Sequence, residues 1–463
     1  VEKRPAFSHV GFIIAAAGSA IGLGNIWKFP YITYAHDGGS FVLVYLAAVV
    51  LIGAPIMMAE IVIGRHTAKS PVPAFLDLAR GVAGGRLWAG VGFLGVVTGF
   101  VILSFYSVVA GWTVYYFGKC VAWSIEGFTP EIASTLGERF GAFLANPVDQ
   151  IGFHVFFMLL TMAIVLVGVR DGIERVTKLL LPILFVILLI LCGAAAFSPG
   201  FGEAMRFLFH VSEIDRDEVL QAVGQAFFSL SLGMGALITY GSYTSRKQSI
   251  RRDAAMICAL DTVIALMAAV VMFSIIFSVP VAERATTFSR SAAILFTTLP
   301  RMLYALPAGA LLAPLFYLLV VFAALTSTIS LLEVVVAYFI DHLRWSRRKA
   351  TAIVGAIMIV TGAFAALSLG ASPALSTFEL FEGNPGVFGT FDYLSTNWLL
   401  PVGGFFIALF VGWFLSERLT RDEMEAGGGP FPLYGLWRFL LRVVCPVAIG
   451  WIIASVIQGR AFN

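Results

Sequence analysis

Two stretches of this chain set glycine and small polar side chains inside apolar surroundings. They are Gly18-Ser19-Ala20-Ile21-Gly22-Leu23-Gly24-Asn25 and Phe228-Ser229-Leu230-Ser231-Leu232-Gly233-Met234-Gly235. Each glycine costs a helix interior about 1 kcal/mol relative to alanine. A helix that breaks in lipid strands backbone N–H and C=O groups, which is tolerated only where they line a protein-buried cavity. Free N–H groups beyond the break, at a positive dipole end, suit a carboxylate. Stranded carbonyls, hydroxyls and amide oxygens suit a hard cation. In the first stretch the amides of Leu23 and Gly24 are candidates for the first role, and the carbonyls of Gly18, Ala20 and Ile21 for the second. A glycine-rich packing face between helices is the competing reading, and this stretch alone leaves the two about even.

The elements that would position these groups are membrane helices. Of 463 residues, 59% are hydrophobic and 12% charged, with mean hydropathy +0.92. Soluble chains lie near 45–50% apolar and about 25% charged. The composition predicts one polytopic bundle, all α. The pI of about 8.6 does not indicate nucleic-acid binding, because the basic residues sit in short loops. Cys120, Cys192, Cys258 and Cys445 are scattered, without the spacing of a zinc site or a disulfide framework. The polar start, Val1 to His9, runs into a span too long for a signal peptide.

A span needs roughly 20 apolar residues. The pattern predicts eleven, at 9–34, 38–65, 86–120, 150–168, 176–197, 217–242, 252–281, 309–341, 349–370, 394–416 and 435–457. With a cytoplasmic N-terminus, about 21 Lys and Arg fall inside against 9 outside, the expected bias. An odd number of spans then places the C-terminus outside. Spans one and six, each the first of five, carry the two interrupted stretches, so the halves have opposite orientations in the membrane. Interrupted segments at matching positions of two halves point to a transporter site at mid-membrane.

Gly22-Leu23-Gly24-Asn25-Ile26-Trp27-Lys28-Phe29-Pro30 resembles the first-helix signature of the neurotransmitter:sodium symporters. Gln225-Ala226-Phe227-Phe228-Ser229-Leu230-Ser231-Leu232-Gly233 resembles their sixth helix, and Ala323-Ala324-Leu325-Thr326-Ser327-Thr328 their eighth. The motifs recur in order over nearly the whole chain, and the bacterial eleven-helix amino-acid carriers are the nearest comparison. The resemblance implies two five-helix inverted repeats with helices one and six unwound. It implies one sodium site from the carbonyl of Ala20, the side chains of Asn25 and Ser229, and Asp261, with the substrate carboxylate as a further ligand. A second would use the carbonyls of Gly18, Ile21 and Ala323 and the hydroxyls of Thr326 and Ser327. The alternative for Thr326, Ser327 and Thr328 is hydroxyls bonded back within their own helix.

Asp261 stands out physically, because an ionisable residue inside a span is costly and usually functional; a protonated packing carboxyl is the bland alternative. Animal members of the family need chloride, and an aspartate beside sodium would supply that charge itself. Transport is therefore expected to need no chloride. Some chloride-independent relatives place the acid one turn later, where this chain has Ala265. Glu60 is expected to accept N–H groups freed by the second break, and Glu333 is assigned no definite role.

Monoamine carriers of the family have an aspartate at the position of Gly22. Glycine there implies cargo with its own carboxylate, bound by the Leu23 and Gly24 amides, the Tyr106 hydroxyl and sodium. The ammonium would meet carbonyls of Ala20, Phe228 and Ser229 and the Ser231 hydroxyl. The side-chain pocket would be Ser19, Ile102, Phe228, Met234, Ser327, Thr328 and Leu331, with no charged member. An adaptable Met234 permits branched or aromatic cargo, whereas a space-filling Met234 would suit alanine or glycine. Outside the pocket, Lys28 replaces the usual arginine, with Asp392 as candidate partner. Inside, Asp341 would pair with Lys3 or Arg4 near Tyr243.

The expected division is 1–8 as a cytoplasmic segment, 9–197 as the first repeat, 198–216 as an extracellular loop, 217–416 as the second repeat with a lid at 285–305, and 417–463 as a cytoplasmic loop and helix eleven. The expected activity is sodium-coupled import of a neutral, hydrophobic or aromatic amino acid across a bacterial inner membrane by a monomer or weak oligomer, with no organic cofactor. A proton-coupled carrier of the same fold is the alternative, and a channel or membrane receptor the other class. No Ser/His/Asp, HExxH or paired catalytic Asp pattern occurs in the spans, so enzymatic chemistry is not expected.

Overall fold

The computed structural model describes residues 6–281, 284, 294–460 and 462. Among them all regular structure is helical. Among the described residues, nine helices are long and apolar enough to cross a membrane unbroken, by length and composition. They are α3 (Gly39–Thr67), α4 (Gly85–Glu126), α5 (Pro147–Val167), α6 (Val169–Ala196), α9 (Ile250–Ile276), α10 (Gly309–Asp341), α11 (Arg347–Leu367), α12 (Gly386–Phe414) and α13 (Tyr434–Ile457). The other two spans are each made of two pieces. α1 (His9–Ala20) and α2 (Gly24–Ala35) meet at a 51° bend. α7 (Arg216–Ser229) and α8 (Ala236–Gly241) are separated by a non-helical turn. The result is an eleven-span bundle in which spans one to five and six to ten form the inverted halves, and the first span of each half is broken.

The breaks have local causes. α1 ends at Ile21, whose backbone is extended (ψ 101°), and a π-helical turn at Gly24–Lys28 restarts the chain. Between α7 and α8, Ser231, Gly233 and Gly235 all have positive φ (54°, 79° and 74°). At Gly235 a Cβ would stand 2.7 Å from Pro71 Cγ, so glycine serves both backbone and packing.

Helix ends differ from the expected spans where side chains extend the packing. α12 begins at Gly386, earlier than 394, because Phe388 packs on Phe105 (5.4 Å between centroids) and Trp112 (6.2 Å). α5 begins at Pro147 because the Asn146 side chain caps the Val148 and Asp149 amides. His154 is a bonded core residue, between the Ser107 hydroxyl (3.0 Å) and the Ile359 carbonyl (3.1 Å).

The corresponding long helices of the two halves, α4 and α10, pack along each other and face the breaks. One end of the bundle, here the basic end, joins Phe7 to Tyr243 and Ser70 to Asp341. The opposite end holds Lys28, Asn397 and Phe462. Of the expected lid, residues 285–293 lie outside the described residues; Ile294–Thr297 and Leu299–Ala305 are helical, and the Tyr304 hydroxyl donates to the Cys120 carbonyl (2.7 Å).

Candidate functional site

The break in the first span, the break in the sixth, α4 and α10 surround a small cavity of about 30 Å³, room for about one or two water molecules. Its lining includes Ser19, Ala20, Gly24, Ile102, Tyr106, Phe228, Ser229, Ser231, Met234, Ser327 and Leu331, all singled out from the sequence. Gly22 and Ser330 join them. No lining side chain is charged. The Leu23 amide, an anticipated anion donor, gives its proton to the Tyr106 hydroxyl (2.9 Å), which fixes that ring at the cavity wall. Thr328 turns away, bonded to Thr161 (2.9 Å) and to the Leu325 carbonyl (3.0 Å).

Gly22 lets two hydroxyls come close to the backbone. A Cβ there would lie 2.6 Å from the Ser327 hydroxyl and 2.8 Å from the Tyr106 hydroxyl. At Gly24 a Cβ would meet the Phe228 ring at 2.9 Å. Ser330 extends a hydroxyl chain, accepting from Ser19 (2.7 Å) and donating to the Ser327 carbonyl (2.8 Å). Its signal was the i, i+3 spacing from Ser327, which places both on one helix face.

Two oxygen clusters flank the cavity. In the first, Asp261 is fully buried. Its carboxylate accepts from the Asn25 amide (2.7 Å), the Ser229 hydroxyl (2.9 Å) and the Tyr45 hydroxyl (3.2 Å). Tyr45 lies on α3, a member that sequence spacing did not reveal. In the second, the Thr326 hydroxyl lies 3.4 Å from the Ile21 carbonyl and 3.0 Å from that of Ala323. The Ser327 hydroxyl lies 3.5 Å from the Ile21 carbonyl and 3.3 Å from that of Ser19. Gly18 lets α1 approach, since a Cβ there would stand 3.2 Å from Thr326 Cβ. Both donor sets are hard oxygens, which fit an alkali cation. Among the described residues no group of three or more His, Cys, Asp or Glu could hold a metal ion.

Glu60, fully buried on α3, accepts the Gly233 amide at 2.7 Å, an N–H released by the second break. Glu333 accepts from Arg347 (2.6 and 2.9 Å) and from the Tyr243 hydroxyl (2.7 Å), joining α10, α11 and the end of α8. Beside it, the Phe7 amide donates to the Tyr243 carbonyl (2.9 Å), and the Phe7 ring packs edge-on against Tyr240 and Tyr243. Asp341 accepts the Ser70 amide (2.7 Å). Lys3 and Arg4 lie outside the described residues. A second tie at this end joins buried Arg65 to Glu423 (2.8 Å), with His66 and Arg246 on the other carboxylate oxygen (both 3.2 Å). At the opposite end Lys28 and Asp392 line a common cavity. The Lys28 ammonium rests on two rings, Phe228 at 4.9 Å and Phe462 at 4.1 Å.

Two broken helices from inverted halves, facing one another over a shared cavity between oxygen clusters, define a secondary transporter. The profile of the sodium:neurotransmitter symporter family matches residues 4–126 and 146–462. A sodium-dependent transporter of Bacillus subtilis (strain 168), YhdH, is 34% identical over 453 residues, 97% of each chain. The human sodium- and chloride-dependent GABA transporter 2 is 25% identical over 94% of this chain and 77% of its own. Among solved structures, MhsT in complex with L-phenylalanine superimposes with a TM-score of 0.87 at 37% identity, covering 98% of this chain and 99% of that one. The chain belongs to the sodium:neurotransmitter symporter family and is a sodium-coupled transporter, integral to the membrane and not an enzyme.

Proposed function

We propose that this transporter carries a neutral amino acid with a hydrophobic or aromatic side chain, coupled to two sodium ions and without chloride. The observation that carries the reading is the uncharged cavity against Gly22, where no side-chain carboxylate can pair with a bare amine. Cargo held there brings its own carboxylate to the Gly24 amide, the Tyr106 hydroxyl and the cation beside Asp261. Its ammonium meets the carbonyls of the sixth-span break and Ser231. Ile102, Met234 and Leu331 surround the side chain. L-phenylalanine bound to MhsT, a relative of the same fold, supports the choice.

The Asp261 cluster would take one sodium, with Ala20, Asn25 and Ser229 as its other ligands. The carbonyls of Gly18, Ile21 and Ala323, with the Thr326 and Ser327 hydroxyls, would take the second. The buried carboxylate supplies the negative charge that chloride would otherwise bring. The basic end is the cytoplasmic one by the distribution of Lys and Arg. Tyr243, Glu333, Arg347 and Asp341 close that side, and Lys28 with Asp392 belongs to the outer side. The test is a thermal-shift screen of the twenty amino acids with and without sodium, in chloride and in gluconate. Stabilisation by large neutral amino acids only with sodium, and equally in both anions, is expected. Indifference to sodium overturns the coupling, and stabilisation confined to glycine or alanine overturns the substrate class.

A further inference from the structure

We propose that Phe462 is the plug of the outer pathway: it covers Lys28 on the side away from the central cavity and must leave before that end opens. The chain after α13 emerges into solvent, with Ile457 68% exposed and residues 458–460 exposed. Two residues later it turns back in, and Phe462 is only 2% exposed. Its backbone is clamped at both polar groups by one buried side chain. The Phe462 amide donates to Asn397 Oδ1 (2.6 Å), and its carbonyl accepts from Asn397 Nδ2 (3.0 Å). The ring lies 4.1 Å from the Lys28 ammonium, which on its other side faces Phe228, a wall of the central cavity. Room for the ring comes from Gly224 on α7, where a Cβ would stand 2.6 Å from it. Arg460 anchors the approach, 3.5 Å from Asp217 near the start of α7.

Phe462 thus touches α2, α7 and α12 at once. These include the half-helices beyond both breaks. Any movement that parts α2 and α7 from α12 removes the ring from its seat. A desolvated ammonium over a ring face is held by the ring's electron-rich face, so the contact favours the arrangement in which the ring is seated. The Lys28–Phe228 stack carries that closure down to the cargo. The inference rests on the assignment of this end as the outer one.

The test uses the full chain in intact cells, with Lys28→Cys as a reporter read by a membrane-impermeant thiosulfonate. Its modification rate is compared in the otherwise unchanged protein, with Phe462→Ala, and with Gly224→Ala, which crowds the ring from its seat. Both second substitutions are expected to raise the rate several-fold. A rate that neither changes overturns the plug, and Gly224→Ala keeps the question open to measurement if Phe462→Ala misfolds. A second readout is the release of bound L-phenylalanine into sodium buffer from protein with native Lys28. Phe462→Ala is expected to speed release several-fold; unaltered release overturns the plug's hold on the cargo. Failure of every form to bind L-phenylalanine would strike the substrate assignment alone, because the thiol reaction involves no substrate.

Discussion

The two oxygen clusters beside the cavity are built from different material. The first holds a carboxylate, and its members come from α2, α3, α7 and α9. The second is neutral throughout, and it bridges the end of α1 to α10. The difference teaches a division of labour. On the proposed reading, a fixed buried charge would offset the desolvation of a cation at the first cluster, which would make that ion an electrostatic partner of Asp261 and of the cargo. At the second, the ligands contribute dipoles only, and an ion binds well only when α1 and α10 stand at the right separation. A ligand that prefers one separation shifts the population toward it, so a second ion bound there as proposed would act as a reader of conformation.

The largest break in this comparison comes from Asp261→Leu. It leaves the Asn25 amide and the Tyr45 and Ser229 hydroxyls without their acceptor, at a cost of about 1–3 kcal/mol for each buried donor left unsatisfied. Sodium-dependent binding is expected to fall at least about a hundredfold, measured by sodium titration of thermal stability. The isosteric Asp261→Asn sharpens the point. It keeps the shape and removes the charge, so binding is expected to return when chloride replaces gluconate. Equal behaviour in the two anions would show that the carboxylate is not the charge that substitutes for chloride. Next in size is Thr326→Val, which deletes one neutral ligand worth about 1–3 kcal/mol. About a tenfold rise in the sodium midpoint is expected, with no effect of chloride. A chloride response in Thr326→Val would merge the two clusters into one.

How much of this was legible depends on distance along the chain. The breaks were readable because glycine and serine act on their own backbone within a few residues, as at Gly233 and Gly235. The lining of the cavity was legible through the family resemblance, position by position, and the four-residue steps from Ile102 to Tyr106 and from Ser327 to Leu331 put each pair on one helix face. Tyr45 was not, because nothing near it in sequence marks a hydroxyl that meets Asp261 across 216 residues. Phe462 is a phenylalanine near the end of an apolar segment, and only folding brings it to Lys28. Lys28 itself was read as half of an ion pair. The structure gives its ammonium two aromatic faces, a partnership that charge counting does not register. Thr328 fails for a related reason, since its neighbour Thr161 lies on another span and draws the hydroxyl away from the cavity.

The smallest effect is the most discriminating. Tyr45 gives Asp261 its longest bond, 3.2 Å, while Asn25 and Ser229 hold the same carboxylate at 2.7 and 2.9 Å. Its ring is seated independently, 4.9 Å from Phe29 and 6.4 Å from Phe41. Tyr45→Phe therefore keeps the packing and removes one donor, which costs about 1 kcal/mol. The sodium midpoint is expected to rise by about fivefold. The magnitude matters less than the coupling. Tyr45 and Asp261 share a bond, so Tyr45→Phe should add little once Asp261→Asn is present. Tyr45 and Thr326 share no partner, so their effects should sum to within about 0.5 kcal/mol. Strong coupling of Tyr45→Phe to Thr326→Val, with none to Asp261→Asn, would mean that the charged cluster, too, reports on the separation of α1 and α10.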